Sequence, residues 1–135
     1  AAALYRKNHI LEAGLVYTPD GKIHSPFYKR HISDPGYCYR AKIQQNCSLV
    51  SPYCIMVKAD VFKNSFCSFP SFDFTENIWA FCHTLSSQGL NITLLPRVSV
   101  LCKDNRRLPC SFSLFNGSKD PFYNPNFSSV NMYRL

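Results

Sequence analysis

A chain of 135 residues in which 46% are apolar, eleven of them Phe and eight Tyr, can bury a core of its own. This excludes a disordered composition and sets one domain over residues 1–135 as the expectation. No apolar run approaches the roughly 20 residues that span a bilayer as a helix, and residues 1–6 lack a signal peptide's apolar stretch. The formal charge of +7 sits in small clusters (Arg6 and Lys7, Lys29 and Arg30, Arg40 and Lys42, Arg106 and Arg107) that suit phosphate-bearing partners, without the fold signature of a nucleic-acid module.

Ala1, Ala2 and Ala3 run directly into a strand-like pattern with no Met before them, which reads as a fragment of a longer chain. Residues 11–17 are mostly apolar and lead into Thr18-Pro19-Asp20-Gly21, after which Ile23 resumes an extended pattern, so a hairpin is expected. From residue 24 to 39 the chain is polar and aromatic and is broken by Pro26, Pro35 and Gly36. A loop of that length usually binds or covers something.

Residues 47–57, with Val50, Ile55 and Val57 β-branched and Pro52 inside, predict a short buried strand entered through a kink. Residues 59–64 predict one or two helical turns with Val61 and Phe62 toward the core. The strongest helix signal spans residues 75–88. There Thr75 can cap, Glu76 lies in the first turn, Ile78, Phe81, Cys82 and Leu85 recur at helical spacing, and Gly89 ends the run. Residues 90–95 predict an apolar strand stopped by Pro96, and residues 98–102 a second one with Val98, Val100 and Cys102 on one side. Beyond Arg106 periodicity fades, and residues 120–126, with two prolines, predict an ordered loop.

Seven cysteines without a Cys-x-x-Cys pair disfavour a zinc ribbon. Cys67 and Cys82, in apolar surroundings, read as buried free thiols, with disulfides left open for an oxidising compartment. Glycosylation sequons at Asn46, Asn91, Asn116 and Asn126 keep a secretory origin open, although Asn91 falls where a buried strand is expected to begin. His24, His31 and His83 form no nucleophilic constellation that spacing can support.

Taken in order, several segments resemble the later half of bacterial family-2 glycosyltransferases. They are Gly14 through His24 with its Asp-Gly turn, Asp34-Pro35-Gly36-Tyr37, Gln45-Asn46-Cys47-Ser48, Ile55-Met56-Val57-Lys58-Ala59-Asp60-Val61-Phe62, and above all Asp120-Pro121-Phe122-Tyr123-Asn124-Pro125-Asn126-Phe127. The resemblance covers nearly the whole chain. It implies an α/β fold: a GT-A-like mixed sheet with flanking helices, of which this is the second half only. It also implies an acceptor-side module whose intact form passes a sugar from a nucleotide-sugar donor to a saccharide or lipid-linked acceptor.

By that resemblance Glu76-Asn77 stands where the family carries two acids at the start of a helix. An inverting transfer needs a carboxylate to take the acceptor's proton, which an amide cannot do usefully. Glu76 is then the candidate catalytic base, although an ordinary helix-start acid complementing the dipole is the favoured reading of it. Asn77 and Trp79 are candidate acceptor-binding residues, Trp79 either stacking on a sugar or filling core. Lys29, Arg30 and His31 are candidates to meet donor or lipid phosphates.

The family's metal-ligand His is replaced by Cys102, a poor partner for Mg²⁺ or Mn²⁺. No Asp-x-Asp is present, and Asp73 reads as a loop carboxylate capping the helix. No cofactor is therefore expected here, and Mg²⁺ or Mn²⁺ only with the missing first half. The expectation is an inactive piece located in the cytoplasm or at the cytoplasmic face of a membrane, with a protein partner that could complete the fold. A non-catalytic saccharide- or partner-binding module and a secreted disulfide-bonded glycoprotein are the alternatives.

Overall fold

In the computed structural model, residues 1–103 and 111–123 are described. They form a mixed α/β structure of two sheets and two helices. Strands β1 (Ala2–Arg6) and β2 (His9–Glu12) make an antiparallel hairpin, and β3 (Val16–Tyr17) and β4 (Asp20–His24) make a second. This second hairpin turns at the expected Thr18-Pro19-Asp20-Gly21 segment. After β5 (Gln45–Asn46), α1 (Ala59–Ser65) and α2 (Phe74–Ser87), the chain returns in β6 (Thr93–Leu101) and β7 (Ser111–Asn116). One sheet has the order β2-β1-β6-β5 and the other β3-β4-β7. β6 lies parallel to β1, a pairing that demands a long crossover rather than a tight turn.

Helix α2 forms for reasons legible in its ends. Asp73 is the N-cap, its side chain accepting from the Glu76 amide while the Glu76 side chain accepts from the Asp73 amide. At the other end Gly89, at φ 76°, lets Leu90 N–H reach the Leu85 carbonyl (3.0 Å) and Gly89 N–H that of Ser86 (3.0 Å), the Schellman closure. The cap is thus Asp73, and Thr75 lies inside the first turn. Ile78, Trp79, Phe81, Cys82 and Leu85 are buried. Trp79 meets Phe112 of β7, Phe112 meets Phe115, and Phe115 stacks on Tyr17 of β3 at 4.3 Å, so the helix rests on the second sheet.

Five expectations are corrected. Residues 47–57 are not a strand: beyond β5 only Leu49 bridges to Leu15, because Pro52 removes a ladder donor and Ser51 N–H is taken by Glu12. Pro96 does not end a strand. It lies within β6, and the ladder to β1 slips from Ala2 opposite Leu95 to Ala3 opposite Ser99, so the proline is accommodated in a bulge. No residue of α1 is buried: Phe62 instead packs on the rings of Phe66 (4.6 Å) and Phe81 (5.6 Å). Cys67 and Asn91 are exposed, and β6 begins at Thr93, whereas Cys82 is buried as expected.

Strand β7 was not foreseen. Its buried residues Phe112 and Phe115 are three apart, a helical rather than a strand spacing, because the β4–β7 register shifts between Asp20 opposite Asn116 and Lys22 opposite Ser111. Gly21 sits at that shift with φ 74°, and a Cβ there would lie 2.3 Å from Asn116 Oδ1 and 3.0 Å from the Phe112 carbonyl oxygen. Only glycine fits both the backbone and the space.

Glu12 of β2 is buried. Its Oε1 accepts from Ser51 N–H at 2.6 Å, and its Oε2 has no partner among the described residues. Burial pushes its carboxyl up to about 7, against the lowering effect of the Ser51 hydrogen bonds. A folded value above the unfolded one means that stability is fully present below about pH 4.5 and is lost as pH rises through about 7, a difference of roughly 3 kcal/mol. Urea unfolding of the wild type and Glu12→Gln across this range is expected to show the variant gaining on the wild type from pH 5 to 8. A constant difference would mean that Glu12 does not titrate there.

Candidate functional site

The residues singled out on α2 face three different surroundings. Glu76 is half-buried, and its Oε2 accepts from the Asp73 amide at 2.9 Å, closing the capping box. Asn77 is buried and faces the 69–73 loop. Its Oδ1 accepts from Phe69 N–H at 2.7 Å, and its Nδ2 lies 3.0 Å from the carbonyl oxygens of Phe72 and Asp73 and 3.3 Å from that of Phe69. Trp79 is fully buried against Phe112. The fold uses one residue to start the helix, the second to hold the loop before it, and the third to fill the core.

Lys29, Arg30 and His31, by contrast, share one surface. Lys29 N–H donates to the Ile10 carbonyl and Ile10 N–H to the Arg30 carbonyl, while Ile32 N–H donates to the Asn8 carbonyl. The loop is thereby stitched along β2 beside the β1–β2 turn. Arg30 pairs with Asp34 at 2.8 Å, and the Lys29 ammonium lies 5.3 Å from the Tyr28 ring centre. His31 Nδ1 is 2.6 Å from Ser33 Oγ, and the His31 ring lies 6.0 Å from that of His9. β1 ends at Arg6, and Cys102 N–H, just past β6, donates to the Tyr5 carbonyl. The basic loop therefore flanks edge strand β2, level with the carboxyl ends of the parallel pair, the end at which α/β sheets most often take ligands.

Two acids carry more of the structure than their sequence context revealed. Asp120, the first residue of the tail motif, is buried. Its Oδ2 accepts from Tyr17 N–H at 2.8 Å, and its Oδ1 from Phe122 N–H at 2.7 Å and from the Ser48 hydroxyl. Burial raises its carboxyl above the usual range, while the bonds from Ser48, Tyr17 and Phe122 pull it back. Glu12 is the other. Neither carries a spacing signal, although an acid inside an apolar strand such as Ile10-Leu11-Glu12-Ala13 is a cue to a buried carboxylate. Asn124, Pro125 and Asn126 of the same motif lie outside the described residues.

Among the described residues no group of three or more His, Cys, Asp or Glu is placed to hold a metal ion. Cys38, Cys47, Cys54, Cys67 and Cys82 are free thiols, and burial pushes those of Cys47 and Cys82 up to about 12, far from the range of a nucleophile. No helix among the described residues is long and apolar enough to cross a membrane. No protein family, curated protein or solved structure matches the chain.

The Asn77 geometry gives a direct test. An ionised carboxylate at this position would face the carbonyl oxygens that the amide now satisfies, so Asn77→Asp is expected to cost about 1–3 kcal/mol near pH 7. Because the folded state would favour the protonated acid, the deficit should shrink toward pH 4.5. Urea unfolding of both proteins at the two pH values measures it, and an equal cost at both would remove the carbonyl contacts as its cause.

Proposed function

We propose that this chain is a glycosyltransferase-like module of the GT-A type, contributing the acceptor side of a sugar-transfer cleft, and that its α2 helix is committed to holding the fold rather than to proton transfer. The observation that carries this reading is the placement of Lys29, Arg30 and His31 near the carboxyl ends of β1 and β6. That is where phosphate oxygens of a nucleotide-sugar donor or a lipid-linked acceptor meet charge-assisted donors. The tail motif supports it further, because Asp120 has a defined task in closing the domain.

The same helix argues against catalysis by this chain alone. The Glu76 carboxylate is engaged with the Asp73 amide, and the Asn77 amide is enclosed by the 69–73 loop. A base must reach the acceptor hydroxyl within hydrogen-bond distance; the enclosed Asn77 amide cannot, and on this reading the Glu76 carboxylate serves the helix start through its Oε2. Mg²⁺ or Mn²⁺ chemistry belongs, on this reading, to a donor-binding half.

Nucleotide sugars and short oligosaccharides titrated into labelled protein, with and without Mn²⁺, test the proposal by backbone amide shifts. Perturbations are expected at residues 29–31 and in the first turn of α2, with no release of nucleoside diphosphate. Sugar transfer that Glu76→Gln abolishes would overturn the non-catalytic assignment. Absence of shifts with every donor and saccharide would overturn the cleft.

A further inference from the structure

We infer that the loop from Tyr28 to Ile43, together with the β1–β2 turn, is a docking surface for an anionic lipid bilayer. The inference rests on this loop's own residues and not on the sugar-transfer reading. Tyr28, Ile32, Tyr39 and Ile43 are all exposed, Tyr39 at 66% and Ile43 at 49%. Interleaved with them are Lys29, Arg30, Arg40 and Lys42, against a single acid, Asp34, which is already paired with Arg30.

Hydrogen bonds tie the parts of this loop to one another and to the β1–β2 turn. The Tyr39 carbonyl accepts from both Lys42 and Ile43 N–H (2.8 and 3.2 Å), Lys42 Nζ donates to the Ile32 carbonyl, and Ile32 N–H donates to the Asn8 carbonyl (2.7 Å) next to Lys7. Lys7 and Lys29 are exposed.

Tyrosine with its ring in the headgroup layer, an aliphatic side chain beside it and lysines reaching lipid phosphates is the composition that binds a negatively charged interface. A soluble polyanion would use the lysines and leave Tyr39 and Ile43 without a purpose. Charge complementarity thus identifies the partner and the exposed apolar side chains identify its phase. The backbone agrees: apart from Lys7 (51°), which makes the tight turn of the β1–β2 hairpin, the non-glycine residues with left-handed φ among the described residues, Lys29 (63°), Cys38 (50°) and Tyr39 (59°), all fall in this loop. Such departures from the preferred backbone gather where a surface is shaped for a partner. Among the described residues, acids elsewhere are engaged or lie on other elements. Glu12 and Asp120 are buried, Asp20 pairs with Lys22, and Asp60, Asp73 and Glu76 lie on or beside α1 and α2.

Co-sedimentation with vesicles of phosphatidylcholine alone or mixed with phosphatidylserine tests the inference, with heparin as the soluble polyanion. Two double variants accompany the wild type, Lys7→Glu/Lys29→Glu and Tyr39→Ser/Ile43→Ser. All four positions are exposed, and circular dichroism checks that the fold is kept. The wild type is expected to partition onto the mixed vesicles and not onto pure phosphatidylcholine. The charge-reversed protein should lose at least about tenfold in partitioning, and the Tyr39→Ser/Ile43→Ser protein several-fold. Equal partitioning onto both vesicles, no partitioning onto either, or heparin binding as tight as vesicle binding and unmoved by Tyr39→Ser/Ile43→Ser would each overturn it, the last identifying a polyanion surface.

Discussion

The carboxylate of Asp120 joins three stretches that are far apart in the chain: Tyr17 in the second hairpin, Ser48 in the segment after β5, and the tail turn at Phe122. It is buried, so each of its oxygens must find donors within the protein, since water cannot supply them. Tyr17 is also the ring on which Phe115 of β7 stacks, and Phe115 shares the core with Phe112 and Trp79. This side chain, with the Gly117 N–H bond to the Pro19 carbonyl, fastens the tail to the second sheet at the point where that sheet receives α2. The neighbouring Leu15–Leu49 bridge, whose amides exchange hydrogen bonds at 2.9 and 3.2 Å, runs between the same two stretches and depends on the same alignment.

Polar side chains do similar work elsewhere in this domain. Glu12 holds the Ser51 amide, Asn77 holds the 69–73 loop, and the Asp73–Glu76 pair closes the helix start. Each supplies a partner to backbone groups that the strand ladders do not reach, as a chain with nine prolines requires if its buried amides are to be satisfied. On the reading proposed above, α2 holds the fold, while the 28–43 loop and the β1–β2 turn present the exposed Lys29 and Lys7.

Where local physics decides the outcome, the sequence was readable. The Thr18-Pro19-Asp20-Gly21 turn, the helix with Gly89 at its end and the buried face of Ile78, Phe81, Cys82 and Leu85 all follow from caps, breakers and period. Failures came where a neighbour overrides the local pattern. Pro96 reads as a stop but is absorbed by a bulge in β6, and Phe112 and Phe115 read as non-strand because a register shift in β7 spaces them by three. Residues 47–57 read as a strand until Glu12 claims the Ser51 amide. The same distinction holds at the candidate site. The grouping of Lys29, Arg30 and His31 was visible as consecutive residues, whereas the separate surroundings of Glu76, Asn77 and Trp79, and the burial of Asp120, depend on contacts that sequence spacing does not contain.

The most direct measurement is the stability of Asp120→Asn at pH 7 by urea unfolding, with hydrogen exchange read at the Tyr17 amide. Both carboxylate oxygens accept from donors, so an amide of the same shape turns one contact into two donors facing each other. A loss of about 1–3 kcal/mol and faster exchange at Tyr17 are expected. Unchanged stability together with unchanged exchange at Tyr17 would contradict the role given to Asp120 as the junction of the fold.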